Sequence, residues 1–167
     1  RVLLNAKWRC SADSIWIGVS KDTASFSATG QQLYEAHYTS WANNNWVPSY
    51  KIETKYYDFG EDEYTQRMDW SNSEWRGRYR NEYVYDTNGK QISSAQYNGW
   101  NSDSKTWIGT IKTDTEYNIE GRMASLTTSL WGTDNWRASQ KTLFTYDVAG
   151  HETNQIVQNY TNDTWTN

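Results

Sequence analysis

The chain has 167 residues, with 16 Lys and Arg against 20 Asp and Glu and a net charge of −4; no basic run or stripe follows a phosphate backbone, so nucleic acid is not an expected partner. No stretch approaches the 18 consecutive apolar residues of a membrane-spanning helix, and the lone Cys10 allows neither an internal disulfide nor a thiolate metal cluster. Leu, Ile, Val and Phe supply only 23 residues, a level typical of disorder, but 11 Trp and 13 Tyr carry the buried area that folding needs.

Residues 1–5 are too short for the apolar core of a signal peptide and Lys7-Trp8-Arg9 follows at once, so the sequence reads as a mature chain or an excised piece. Cys10 reads as a small, half-buried strand residue. From there the chain keeps a beat. Trp16, Trp46, Trp75, Trp107, Trp136 and Trp165 lie 30, 29, 32, 29 and 29 residues apart, and Gly30, Gly60, Gly89, Gly121 and Gly150 lie 30, 29, 32 and 29 apart. Two residue types reporting one period imply a supersecondary unit copied along the chain, each copy burying its apolar face against its neighbours. Registered on the glycines, a partial unit 1–23 precedes units 24–53, 54–81, 82–113, 114–142 and 143–167, read as a single repeat domain within a longer protein.

In chain order, unit 24–53 has Phe26-Ser27-Ala28 before its glycine, a return strand carrying His37, and the turn Trp41-Ala42-Asn43-Asn44-Asn45-Trp46. Strict alternation then sets Trp46, Pro48, Tyr50, Ile52, Thr54 and Tyr56 against Val47, Ser49, Lys51, Glu53, Lys55 and Tyr57. Unit 54–81 turns at Tyr57-Asp58-Phe59-Gly60, where Glu61-Asp62 follows the glycine, and again at Trp70-Ser71-Asn72-Ser73-Glu74-Trp75. Its next strand alternates Trp75, Gly77, Tyr79, Asn81, Tyr83 and Tyr85 against Arg76, Arg78, Arg80, Glu82, Val84 and Asp86. Unit 82–113 turns at Tyr85-Asp86-Thr87-Asn88-Gly89, returns along residues 91–100, and turns between Trp100 and Trp107. Unit 114–142 has Tyr117-Asn118 where others have Tyr-Asp, a return strand over 123–131, and the turn Trp131-Gly132-Thr133-Asp134-Asn135-Trp136. Unit 143–167 repeats Tyr146-Asp147-Val148-Ala149-Gly150, with His151 beside the turn, and reaches Trp165.

Where a Tyr-Asp pair opens the first turn, Asp bonds the backbone two residues on, and Gly accepts the positive φ of a tight hairpin; polar turn formers between paired tryptophans mark the second turn. No apolar stripe of 3.6-residue spacing appears over ten residues. The fold is expected to be all-β, an antiparallel β-hairpin repeat array, extended or superhelically twisted, of about 5.5 repeats of 29–32 residues. Two strands per repeat advance an open sheet by about 9.6 Å, and strict repetition without a seam favours that over a closed barrel.

These residues resemble an aromatic-rich repeat of Bacteroidetes surface and secreted proteins, approximately K-x-x-Y-x-Y-D-x-x-G-N, then a Tyr-rich strand to a Trp, a polar turn and a second Trp. The closest copy is 51–75, followed by 82–107 and 141–165, and the resemblance covers about 24–167. It is similar, more distantly, to the YD repeats of bacterial shell-forming proteins. What the resemblance implies is an extracellular or cell-surface location and a role in display or adhesion, with no family chemistry. Sequons at Asn159 and Asn162, and Asp-Ser/Thr-apolar triplets at Asp13 and Asp22, are short motifs frequent in so polar a chain.

No catalytic site is expected. His37 and His151 are more than 100 residues apart, and Asp58, Asp86 and Asp147, which glycoside cleavage would need in facing pairs, recur at turns where Asp stabilises the backbone. Asp86-Thr87-Asn88-Gly89 lacks the later bidentate Glu of a calcium loop. No metal or cofactor is expected. The residues that carry function are read as two aromatic rows: Trp41, Trp70, Trp100 and Trp131 end return strands, and Trp46, Trp75, Trp107 and Trp136 begin long ones. As a cross-strand clasp each pair holds its hairpin in register; as a binding surface the rows stack on sugar rings of a glycan. The expectation is a non-enzymatic, extracellular structural or adhesive segment, assembling end to end through its terminal strands, with a carbohydrate-binding module as the alternative.

Overall fold

The computed structural model describes residues 1–167. Twelve strands and no helix form one open antiparallel sheet in which each strand pairs with its neighbours in sequence. They are β1 (Val2–Cys10), β2 (Trp16–Phe26), β3 (Gln32–Ala42), β4 (Asn45–Tyr56), β5 (Asp62–Ser71), β6 (Glu74–Tyr85), β7 (Gln91–Asn101), β8 (Thr106–Tyr117), β9 (Met123–Trp131), β10 (Trp136–Tyr146), β11 (Glu152–Thr161) and β12 (Thr164–Thr166). The chain clusters into two compact units, Arg1–Arg80 with Ser102–Lys105, and Asn81–Asn101 with Thr106–Asn167.

Two turn chemistries alternate. The glycine turns are type I turns followed by a left-handed residue: Gly30, Gly60, Gly89, Gly121 and Gly150 have φ of 91, 100, 77, 77 and 92°. In each, the glycine N–H donates to the carbonyl three residues back, and the residue at that carbonyl donates to the one after the glycine, as in Asp86 N to Lys90 O at 2.8 Å. The first turn side chain accepts from the last turn N–H: Ser27 Oγ from Gln31, Asp86 Oδ1 from Lys90, Asn118 Oδ1 from Arg122 and Asp147 Oδ1 from His151, at 2.8–3.0 Å. Ser27 and Asn118, departures from the Tyr-Asp pattern, therefore do the same work as Asp because only an acceptor oxygen is needed. The Tyr57-Asp58 pair is the real departure. Counted back from Gly60, Tyr57 takes the first turn position and Asp58 the second, so Tyr56, not Tyr57, is the equivalent of Tyr85 and Tyr146.

Between β3 and β4, β5 and β6, and β11 and β12 the chain turns in two residues, Asn43-Asn44, Asn72-Ser73 and Asn162-Asp163, with φ from 50 to 62° at all six. These are type I′ turns, and Asn and Asp tolerate the left-handed region best among residues with a side chain.

Strict alternation fails at one recurring place. Where the register is Trp8↔Gly18 then Lys7↔Ser20, Tyr38↔Pro48 then His37↔Tyr50, Tyr97↔Gly109 then Gln96↔Ile111, and Ser129↔Ala138 then Thr128↔Gln140, the third residue after the strand's first tryptophan is unpaired: Val19, Ser49, Thr110 and Ser139. A bulge slips the phase of the strand by one residue. Lys51, expected opposite the tryptophans, accordingly lies with its Nζ 5.3 Å from the centre of the Trp75 ring, and Lys21 lies 4.2 Å over Tyr38 and 5.9 Å from Trp46.

The core is thin. In the first unit Ala36 is 1% exposed, in register with Thr23 and Lys51; in the second, Ala95, Ser125, Ser129 and Thr142 are buried. The fully buried positions are thus small residues, and the tryptophans of the pairs are half-buried. Cys10, expected half-buried, is exposed at the turn end of β1.

Candidate functional site

The type I′ turns and their longer counterparts place each tryptophan pair directly across two strands. Trp41 and Trp46, Trp100 and Trp107, and Trp131 and Trp136 are register partners. In the first unit the rings of Trp41 and Trp46 meet at 5.3 Å and 80°, and those of Trp70 and Trp75 at 5.1 Å and 69°. In the second, Trp100 and Trp107 meet at 5.1 Å and 73°, Trp131 and Trp136 at 4.9 Å and 86°, and Tyr160 and Trp165 at 4.9 Å and 60°. All are edge-to-face, the arrangement the ring quadrupoles favour. The eight predicted site residues are all half-buried. Nε1 of Trp100 is a buried donor without an acceptor.

Pairs are also seated on the preceding hairpin. A Cβ built on Gly18 would stand 2.5 Å from Cη2 of Trp46, and one on Gly109 would stand 2.4 Å from Cε3 of Trp131 and 2.6 Å from Cη2 of Trp136. The glycine thus leaves space that the rings fill. Its register partner flanks the same rings: Trp8 lies 5.3 and 5.2 Å from Trp41 and Trp46, and Tyr97 lies 6.3 and 5.7 Å from Trp131 and Trp136. The sequence carries this signal as Trp-x-Gly at Trp16, Trp75 and Trp107, but which ring fills the space is a tertiary matter.

At the opposite strand ends the glycine turns are laced to one another. Tyr56 Oη donates to Gln32 O at 3.1 Å and Gln31 Nε2 to Gly60 O at 2.8 Å in the first unit. In the second, Tyr117 Oη donates to Gln91 O at 3.0 Å, Tyr146 Oη to Met123 O at 2.8 Å, and Lys90 Nζ to Gly121 O. The Lys90 N–H beside Asp86, and the His151 N–H beside Asp147, hold those carboxyls below the usual range. The turn aspartates thus face their own backbone, and one Asp86 oxygen already accepts from Asn88 N and Lys90 N.

One cluster escaped sequence reasoning. Asp22, His37, Tyr50 and Asp69 are successive register partners across β2 to β5. His37 Nδ1 is 2.5 Å from Asp22 Oδ1 and its ring stacks on Tyr50 at 5.5 Å and 26°. The Arg67 guanidinium lies 4.3 Å over the same Tyr50 and bonds Asp69 at 2.8 Å, while Tyr50 Oη donates to Glu35. Burial, then the hydrogen bond to Glu35, raises the Tyr50 hydroxyl above its ordinary value. Sequence separation conceals the row, because only strand register brings these residues abreast. Arg67 and Asp69 pair along β5, and Asp22 and His37 pair across β2 and β3.

No protein-family model matches the chain, and no curated protein matches it. Among solved structures it is similar to a protein of unknown function from Bacteroides fragilis, with a TM-score of 0.43 and 11% identity over 73% of this chain and 91% of that one. It is also similar to a DUF3836 family protein from Parabacteroides distasonis, at 0.35 and 16% over 64% and 81%, and to another from Bacteroides vulgatus, at 0.31 and 17% over 65% and 90%.

Proposed function

We propose that this chain is a non-enzymatic structural and adhesive β-repeat segment of an extracellular or cell-surface protein, whose tryptophan rows are first of all the clasp of the fold. The observation that supports this most is the seating of the pairs: the rings meet edge to face, and at Gly18 and Gly109 the pair also occupies the space a side chain would take. Rings so engaged hold hairpins in register. Adhesion by such an array is multivalent, many shallow contacts on successive hairpins adding by avidity.

The second reading, a carbohydrate-binding module, draws support from the first hairpin. Trp16 stands across from Cys10 rather than an aromatic and is 64% exposed, a flat ring open to a sugar face. The two readings separate by experiment. Trp70→Ala and Trp100→Ala are made, and circular dichroism, thermal unfolding and binding to a polysaccharide array are read on each. The clasp reading expects loss of cooperative unfolding with a silent array. Saturable glycan binding by the parent chain, lost in both variants while the sheet persists, gives the rows to a glycan instead.

A further inference from the structure

Alternation places Phe144 and Tyr146 on one side of β10, and the bulge at Ser139 turns that side away from Trp136. At the glycine-turn ends of β9 and β10 these two rings floor an open groove of about 620 Å³, walled by Asn118 and Glu120 of one turn, by Asp147 of the next, and by Arg122. Its volume is that of a small-ligand site. β8 and β11 continue the sheet on either side. The residue after the turn glycine decides how such a groove is filled. Gln31 donates to Gly60 O, and Lys90, 4.7 Å over the Tyr117 ring, donates to Gly121 O. Arg122 holds the same position after Gly121, yet its guanidinium makes neither that bond nor any other hydrogen bond or ion pair within the chain. Packing holds it instead: Cζ lies 5.6 Å from the centre of the Tyr146 ring and 2.6 Å from where a Cβ on Gly150 would stand. Its N–H donors are thus fixed in place and unspent. Glu120, two residues before it and exposed, is likewise without a partner. The groove therefore carries a donor and an acceptor that do not satisfy one another, beside two aromatic rings.

We infer that this groove binds a neutral pyranose ring of a glycan, the apolar face of the sugar lying on Phe144 and Tyr146 and its hydroxyls bridging Arg122 and Glu120. The inference rests on the carbohydrate-binding reading and gives it a site away from the tryptophan rows, on the other side of the sheet and at the other strand ends. A hydroxyl both donates and accepts, so a neighbouring pair of sugar hydroxyls serves both side chains. Arg122 is the one base lining the groove, against the carboxylates of Glu120 and Asp147, and that balance disfavours an acidic sugar. Because Arg122 is positioned before any ligand arrives, little ordering of its long side chain opposes binding.

The test is titration of the 167-residue chain with neutral oligosaccharides of glucose, mannose and galactose, and with an oligogalacturonate, followed by NMR. A neutral oligosaccharide is expected to bind saturably, shifting the backbone amides of Arg122 and Gly150 and the Arg122 Nε–H while the indole N–H signals of the tryptophan pairs stay in place. Added salt is expected to leave that binding unchanged, since the ligand carries no charge. Arg122→Gln, which installs the side chain already present at Gln31, and Glu120→Ala are each expected to weaken it about tenfold or more, with circular dichroism unchanged. Preference for the oligogalacturonate, or binding undiminished in both variants, overturns the inference. Binding that shifts the indole signals and is indifferent to Arg122 keeps the carbohydrate reading and removes this groove from it, whereas silence with every neutral sugar removes both. None of these outcomes bears on the clasp, which the Trp70 and Trp100 variants read independently through unfolding.

Discussion

Gly109→Ala adds one methyl group at the point where two tryptophans meet. Its Cβ would stand 2.4 Å from Cε3 of Trp131, 2.6 Å from Cη2 and 2.7 Å from Cζ2 of Trp136, inside van der Waals contact with both rings. Gly109 is buried, and the rings it carries hold each other at 4.9 Å and 86°. Overpacking of this kind costs about 1–3 kcal/mol, and driving the rings apart forfeits part of an edge-to-face pair worth about 0.5–1.5 kcal/mol. Against this, alanine restricts the unfolded chain and returns about 0.4–1 kcal/mol. The net expectation is a loss of about 1–3 kcal/mol, or about 3–10 °C in Tm at this chain length. Urea and thermal unfolding measure the loss, and the exciton-coupled circular dichroism of the paired indoles reports the ring geometry directly. In a Trp136→Leu background the same substitution is expected to cost at least about 0.5 kcal/mol less, because one of the two rings it strikes is gone while Trp131 remains. An unchanged Tm with an unchanged exciton band would refute the seating of the rings on Gly109.

The remaining predictions concern the turns and their charges. Ser14 holds φ of 59° in a turn with the hydrogen bonds of the glycine turns, so Ser14→Gly is expected to stabilise by about 0.5 kcal/mol, the left-handed strain relieved exceeding the entropy added to the unfolded chain; a lower Tm contradicts this. Acid is expected to destabilise. Hydrogen bonds from Lys105 to Glu74, Lys90 to Asp86, Ser125 to Glu116 and His151 to Asp147 lower those carboxyls, and at Glu53 burial acts upward but the bonds from Lys51 and Gln66 outweigh it. Groups depressed in the folded state contribute stability above their unfolded values, about pH 4, and lose it as pH falls through the folded ones. Melting curves are therefore expected to be flat from about pH 7 to 5 and to fall below about 4. Asp86→Asn, which keeps the acceptor that Asn118 supplies natively, is expected to shallow that fall; a steeper one would contradict the role given to Asp86.

The glycine turns were legible because a turn of fixed length requires a left-handed residue at one place, and glycine supplies it at the least cost. The tryptophan pairs were legible for a similar reason, since a short loop puts its flanking residues abreast. The Tyr57-Asp58 turn misled: residue identity suggested a frame that the distance to Gly60 overrules. Lys51 misled differently. Its strand obeys alternation on either side of Ser49, but a bulge leaves no mark in a Ser, Thr or Val, and the phase slips unseen. The row Asp22, His37, Tyr50 and Asp69 was invisible because its members come together by register across four strands, not by spacing.

By itself, then, the amino-acid order determined the period, the hairpins, the all-β class and the pairing of tryptophans within each hairpin, all consequences of local backbone geometry and of side chains a few residues apart. Only the tertiary structure decided the bulges, the seating of Trp46 on Gly18 and of Trp131 and Trp136 on Gly109, and the lacing of Gln31 and Lys90 to the glycine carbonyls. These depend on how one hairpin meets the next, where packing space and strand register are shared between residues that the chain itself keeps far apart.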